Sequence, residues 1–170
     1  EKLNKVTSRY VQLSLKLQRE FGLRREEAIK FQPSFAMRED KISLKSSWTK
    51  GGRSREIPIK TASQKDVLAE VQALAGLGSL IPSEKSYIQQ LKVYENQTSQ
   101  VGLDKNHGLR HRYAQDRYEA FTGWKCPVEG GISKKDMTPE QKEIDRTVRL
   151  QISEELGHCR EQITASYLGR

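Results

Sequence analysis

Cysteine is scarce in this chain of 170 residues: Cys126 and Cys159 are its only two. Two thiols cannot build a disulfide framework, so a packed core must hold the fold, and a reducing compartment, the cytoplasm, is expected. No apolar run approaches the length of a bilayer span, which excludes a membrane-spanning helix and makes a membrane partner unexpected. The amino-terminal stretch is polar and helical in pattern rather than a secretory leader. There is no internal repeat and no low-complexity tract. What is present is charge: 31% of residues are charged and 35% hydrophobic, as expected of one soluble, helix-rich domain over residues 1–170.

The net charge of +8 is unevenly spread. Residues 1–60 hold 15 Lys/Arg against 7 Asp/Glu, and residues 61–170 hold 15 of each. The whole excess sits in the first third. A polyanion, most commonly nucleic acid, would match such a face, and on charge alone a solvated basic surface matches it equally well.

Leu3, Val6, Tyr10, Leu13 and Leu17 recur at three- and four-residue steps and predict an amphipathic helix over 3–20. Phe21-Gly22-Leu23-Arg24 breaks it, and helical character resumes over 26–31. The period then changes to two. Residues 41–48 and 55–60 alternate polar with apolar around the turn Thr49-Lys50-Gly51-Gly52-Arg53-Ser54, a β-hairpin with Lys50 near its tip. Phe35-Ala36-Met37 is a candidate third strand. Ser63 and Asp66 resemble a capping box before a helix that ends at Gly76 and Gly78, and Pro82-Ser83 starts another. Asn106 would cap a helix that carries His107, Arg110 and His111 and ends near Gly123. Residues 124–137, with Pro127, Gly130 and Gly131, read as an exposed loop. Thr138-Pro139-Glu140-Gln141 is a strong helix start. Ile144, Val148, Ile152 and Leu156 would line the apolar face of that helix. It ends at Gly157, with His158 on the corner and Tyr167 beyond. The expected fold is α+β: mainly α-helical, with a small antiparallel β-hairpin or three-stranded sheet near the N-terminus.

Arg24, Lys50, His107, Arg110, His158 and Tyr167 suit one reaction. A tyrosine can attack a phosphodiester and form a phosphotyrosyl bond, splitting strand transfer into two reversible steps. A phenol with a pKa near 10 is ionised only about one part in a thousand at pH 7, a deficit of roughly 4 kcal/mol that a base or a positive field must supply. Two guanidiniums can clamp the charge of the transition state, and a lysine can protonate the leaving oxygen.

At these residues the chain resembles the catalytic domain of the tyrosine recombinases, the phage-integrase family. Gly22-Leu23-Arg24-Arg25-Glu26-Glu27 matches the family's first arginine motif. Lys50 precedes the apolar-proline strand Ile57-Pro58-Ile59. His107-Gly108-Leu109-Arg110-His111 and Leu156-Gly157-His158, followed nine residues later by Tyr167, match the other two motifs. The resemblance implies a site-specific DNA recombinase or integrase, from a phage or other mobile element, that works through a 3′-phosphotyrosyl intermediate. It implies Tyr167 as nucleophile, Arg24 and Arg110 as phosphate ligands, His107 as a proton-transfer group, Lys50 as general acid, and His158 as a hydrogen-bond donor. Glu27 would be a support behind them. No cofactor and no metal are implied. The implied partners are double-stranded DNA, further protomers in a tetrameric synapse, and accessory DNA-bending or directionality proteins; a location at the bacterial nucleoid would follow.

Two departures accompany it. The interval from Arg110 to His158 is long for the family, which places an insertion around 124–145. The chain starts at the catalytic domain and ends three residues after Tyr167, so a core-binding domain and a carboxy-terminal tail are expected to be missing from a fragment. The segment of Tyr167, so near the end, is then expected to be mobile or displaced when DNA and neighbouring protomers are absent, rather than packed within reach of Arg24 and Arg110. Two other readings use the same residues: a type IB topoisomerase-like enzyme that relaxes supercoils, and a non-catalytic DNA-binding domain of the same fold. A zinc site from His107, His111, His158 and Cys159 is disfavoured, because Arg110 would sit against the cation.

Overall fold

The computed structural model describes residues 2–49, 52–103, 107–158 and 161–170, with His107 and residues 161–163 described through their backbone. Lys50 and Asn106 lie outside the described residues, as does Cys159.

The chain is organised around α1 (Arg9–Phe21), which is buried on nearly all sides. Leu13, Leu17 and Phe21 face the larger core, while Val11 and Leu15 face a smaller one with Val6, Ile29 and Tyr94. Gln18, also buried, satisfies its amide by donating to the Tyr94 hydroxyl at 2.7 Å. The predicted helix over 3–20 is split. Leu3–Lys5 is a single 3-10 turn, and Ser8 caps α1 by accepting from the Val11 amide. Ser8 also donates its own N–H to Gln97 at 2.8 Å, which ties the break to a later helix.

Helix α2 (Arg25–Lys30) follows, and then α3 (Pro33–Ala36). Phe35-Ala36-Met37 is therefore not a third strand. Pro33 at the helix start pre-sets a helical turn, and only Met37 bridges to Ile42. The sheet has two antiparallel strands, β1 (Lys41–Leu44) and β2 (Arg55–Pro58), with Ile42 opposite Ile57 and Leu44 opposite Arg55. Ser46–Trp48 is a 3-10 turn rather than strand, because Trp48 folds inward against Phe31 and Phe35 at centroid distances of 5.8 and 5.9 Å.

Helix α4 (Ala62–Ala75) is capped by Thr61 with Gln64, two residues before the expected Ser63–Asp66 pair; Ser63 instead donates to Glu20 at 2.9 Å. Helix α5 (Tyr87–Gln100) begins after Ser86, whose box partner is Gln89, so residues 82–86 do not join the helix. Helix α6 (His107–Thr122) packs on α1, and α7 (Pro139–Leu156) packs on α6. Between them, residues 124–137 contain two 3-10 turns, Pro127–Glu129 and Lys134–Asp136. Thr138 and Gln141 form the predicted capping box. Ile144 is 42% exposed, however, and the buried side of α7 carries Asp145 and Arg149 beside Val148 and Ile152. These two close on each other, Arg149 Nε donating to Asp145 Oδ1 at 3.0 Å. Helix α8 (Glu161–Leu168) packs on α6 and α7. Among the described residues no helix is long and apolar enough to cross a membrane.

Gly22 closes α1 at φ +69°, and a Cβ there would lie 2.6 Å from Tyr113 Cδ2 and 2.8 Å from Leu156 Cδ2. Gly22→Ala should thus cost about 2–5 kcal/mol, from left-handed strain and overpacking together. The shift in urea midpoint at unchanged slope measures it; a shift under half a kilocalorie would show that the three-helix junction relaxes freely.

Candidate active site at the meeting of two helix ends

Arg24, Arg110, His158 and Tyr167 come from four separate segments and converge where α1 and α7 end. Helix carboxyl ends carry unpaired carbonyls and partial negative charge, which suits cationic side chains. Arg110, from α6, donates through Nε to the Gly22 carbonyl at 2.8 Å and through Nη2 to the Leu156 carbonyl at 2.5 Å. Arg24 donates through Nη2 to the Gly157 carbonyl at 3.0 Å. Both guanidiniums are thus held by main chain at two helix ends.

Gly157 makes the second end possible. It takes φ +76°, its N–H donates to the Glu154 carbonyl, and the His158 N–H donates to the Ser153 carbonyl, the Schellman pattern. A Cβ on Gly157 would lie 3.0 Å from Arg24 Nη1 and 3.1 Å from Arg55 Nη1. The glycine therefore gives the turn its hand and the arginines their room.

Behind the arginines lies Glu27, 1% exposed. It accepts the Arg24 main-chain N–H at 2.8 Å, closing the first turn of α2, and pairs with both Arg24 and Arg55. Arg55 Nη2 donates to Glu27 Oε1 at 2.9 Å and Arg55 Nε to the Glu155 carbonyl at 2.9 Å. Burial pushes the Glu27 carboxyl up, but the hydrogen bonds and charges of Arg55 and Arg24 outweigh it and hold it below the usual carboxylate range. Arg55 was absent from the sequence-derived set. Its signal was the strand alternation: Arg55 is in phase with buried Ile57, so an arginine occupies an inward position.

His158 is 8% exposed, and its Nδ1 lies 2.9 Å from Thr164 Oγ1. Burial, together with Arg110, Arg24 and Arg55, pushes its pKa down to about 4, so the ring is neutral at pH 7. Burial likewise lowers the Arg110 guanidinium to about 10; Arg24 and Arg55 add to this, Tyr167 and Glu27 oppose it, and it remains a cation.

Tyr167 is packed into this group rather than displaced from it. Its ring centroid is 5.2 Å from that of His158, 4.1 Å from that of His111 and 6.0 Å from Arg110 Cζ. The residues around it explain why. Gln115 donates to the Tyr167 carbonyl at 3.1 Å, Arg149 to the Gly169 carbonyl at 2.6 Å, and the Lys134 amide to the Arg170 carbonyl at 3.3 Å. The expectation of a displaced tyrosine overlooked these anchors, which come from α6, α7 and the loop between them.

The side chain of His107 is outside the described residues, as is Lys50, so the geometry joins four of the six expected residues. Among the described residues no group of three His, Cys, Asp or Glu is placed to hold a metal ion. The site is instead a cluster of three guanidiniums around one buried carboxylate, with a neutral histidine and a phenol at its rim. Such an excess of positive charge favours a bound anion.

A family model described as Integrase matches residues 2–116. The chain therefore belongs to the integrase family of tyrosine recombinases, and its mostly helical fold with a small two-stranded sheet is that of their catalytic domain. Solved structures with the same fold include the XerH site-specific recombinase bound to palindromic difH substrate in a post-cleavage complex (TM-score 0.58, 19% identity, 99% of this chain and 46% of that chain). A lambda integrase dimer bound to a COC′ core site is similar at TM-score 0.60 and 16% identity, over 99% of this chain and 46% of that one. The XerH pre-cleavage complex with difH gives TM-score 0.56 and 19% identity over 98% and 46%. The chain thus spans just under half the length of these relatives. A comparison with the curated proteins gives no match.

Proposed function

We propose that this chain is the catalytic part of a site-specific DNA recombinase that breaks and rejoins strands through a 3′-phosphotyrosyl intermediate. The observation that carries the reading is the convergence of Tyr167 on Arg110, with Arg24 beside it on the Gly157 carbonyl. The Tyr167 oxygen attacks phosphorus, the bond from phosphorus to the 5′ oxygen breaks, and the strand leaves with a 5′ hydroxyl. Arg24 and Arg110 carry the charge that builds on the non-bridging oxygens. His158 donates a hydrogen bond to one of them. His107 takes part in proton transfer and Lys50 supplies the proton to the 5′ oxygen, roles that rest on their places in the family motifs. Glu27 keeps Arg24 in position through the contacts described above. Because the bond energy stays in the protein–DNA link, no nucleotide or metal is consumed. The substrate is double-stranded DNA, and recombination requires four copies on two duplexes, with DNA-bending or directionality proteins as accessories in the bacterial cytoplasm.

A duplex nicked next to the scissile phosphate traps the intermediate, because the short strand diffuses away. Such a substrate, cut from the junctions of the element that carries this gene, should yield a covalent complex that resists denaturation and forms equally in excess chelator. No complex on any junction duplex, with the protein folded and bound to DNA, would refute the proposal. Relaxation of supercoils without recombination of paired sites would move it to the topoisomerase-like reading.

A further inference from the structure

Thr164 stands one helical turn before Tyr167 on α8, is fully buried, and meets His158 Nδ1 through its hydroxyl at 2.9 Å. A hydroxyl can donate or accept, and a neutral imidazole has one nitrogen of each kind. The direction of this hydrogen bond therefore decides what the rest of the ring offers. With the ring proton on Nδ1, Thr164 accepts and Nε2 presents a lone pair, which repels an anionic oxygen. With Thr164 donating, Nδ1 is the acceptor and Nε2 carries the proton.

The surroundings favour the second form. A lone pair on Nε2 inside the protein needs a donor, and the hydrogen bonds described for the nearby guanidiniums run to carbonyls and to Glu27 rather than to this ring. Arg110 donates to the Gly22 and Leu156 carbonyls and Arg24 to the Gly157 carbonyl and Glu27. Arg53 Nη2 reaches the His158 carbonyl at 3.5 Å rather than the ring. Among the described residues the ring's hydrogen bond is the one to Thr164. A bound phosphate would supply the acceptor that an Nε2 proton needs.

We propose that Thr164 is a positioning residue whose hydroxyl donates to His158 Nδ1, holds the ring proton on Nε2, and so makes a neutral histidine a hydrogen-bond donor to the scissile phosphate. This inference rests on the recombinase reading for the phosphate that accepts from Nε2, and on the Thr164 contact for the group that holds Nδ1. It also links two events. Thr164 and Tyr167 ride on the same helix, so His158 gains its donor form only when the helix that carries the nucleophile is docked. The phosphate site is armed by the arrival of the tyrosine.

The tautomer is read directly in long-range proton–nitrogen spectra of the full chain. Wild type and Thr164→Ser should show His158 with an unprotonated Nδ1 and a protonated Nε2; Thr164→Val should lose that single form. Covalent-complex formation on the nicked duplex should slow about tenfold in Thr164→Val, the worth of one hydrogen bond, and recover in Thr164→Ser. A wild-type ring protonated on Nδ1, or a Thr164→Val protein with unchanged spectrum and rate, would overturn the proposal. If Thr164→Val does not fold, the wild-type and serine spectra decide. If the wild type forms no covalent complex on any junction, the recombinase reading fails, while the tautomer is still judged by the spectra.

Discussion

Tyr167→Phe is expected to abolish covalent-complex formation on a nicked duplex while leaving fold and DNA binding intact. The substitution removes one oxygen from a ring already packed between His111 and His158, so the protein should melt within about 1 kcal/mol of wild type. Loss of a nucleophile from a site that otherwise stays assembled typically costs on the order of 10⁴ to 10⁶ in rate. Tyr113 and Tyr118 offer the natural controls. The Tyr113 hydroxyl donates to Glu155 at 2.6 Å and that of Tyr118 to Asp145 at 2.6 Å. Burial and the neighbouring carboxylate push the Tyr113 hydroxyl well above the usual range, and burial and its bond to Asp145 push that of Tyr118 to about 12. Neither is suited to attack phosphorus. Mass mapping of the peptide–nucleotide adduct should find Tyr167. An adduct that persists in Tyr167→Phe would transfer the role to another tyrosine and discard the alignment of Leu156-Gly157-His158.

Glu27→Gln should be the most destabilising single change at the site and also a strongly inactivating one. The carboxylate is shared by Arg55, 7% exposed at its side chain, and by Arg24. Removing its charge leaves the Arg55 guanidinium buried without a counterion, which typically costs about 3–5 kcal/mol. Chemical denaturation at pH 7 measures the loss, and covalent-complex formation under native conditions measures the effect on Arg24. The pH dependence distinguishes the ion pair from a packing defect. Because Glu27 titrates lower in the folded chain than in the unfolded one, its contribution is complete above the ordinary carboxylate pKa. That contribution is lost as pH falls through the folded value. Wild-type stability should fall over this acid window, and Glu27→Gln should lack that part of the slope. Equal slopes in the two proteins would show that Arg55, rather than the pair, governs the site.

The parts of the site legible in the sequence are those that local chemistry dictates. Gly157 ends a helix, and the Thr138-Pro139-Glu140-Gln141 start fits one pattern only, so α7 and the corner bearing His158 could be placed without coordinates. Arg24 at a helix break and Arg110 beside a histidine were visible as cations at positions with a stated use. Arg55 was not, because its phase with Ile57 marks it as inward without showing what a buried arginine there would meet. Its partner Glu27 is 28 residues away in sequence. Thr164 was silent for the same reason: a threonine in a short helix is ordinary until a ring nitrogen is found beside it. Ile144 was assigned inward and points outward, since α7 pairs Asp145 with Arg149 on its buried side and rotates the expected stripe. The starts of α4 and α5 lie a few residues from the expected ones, at Thr61 with Gln64 and Ser86 with Gln89, where each pair forms a reciprocal capping box with the main chain.

The carbonyls of Gly22, Leu156 and Gly157 act as a caliper. Each jaw is the glycine-capped end of a helix, and the gap between the jaws is set by how closely α1 and α7 pack on α6, not by any flexible loop. The spacing of the two guanidiniums is therefore a property of the core, transmitted by Tyr113 wedged against Gly22. Sequence drift in the loop over 124–137 can retune how Tyr167 is anchored without altering the spacing of the two arginines. Drift in the core does the reverse. A lineage of such chains could vary the anchoring of Tyr167 freely while the jaws stay the same width.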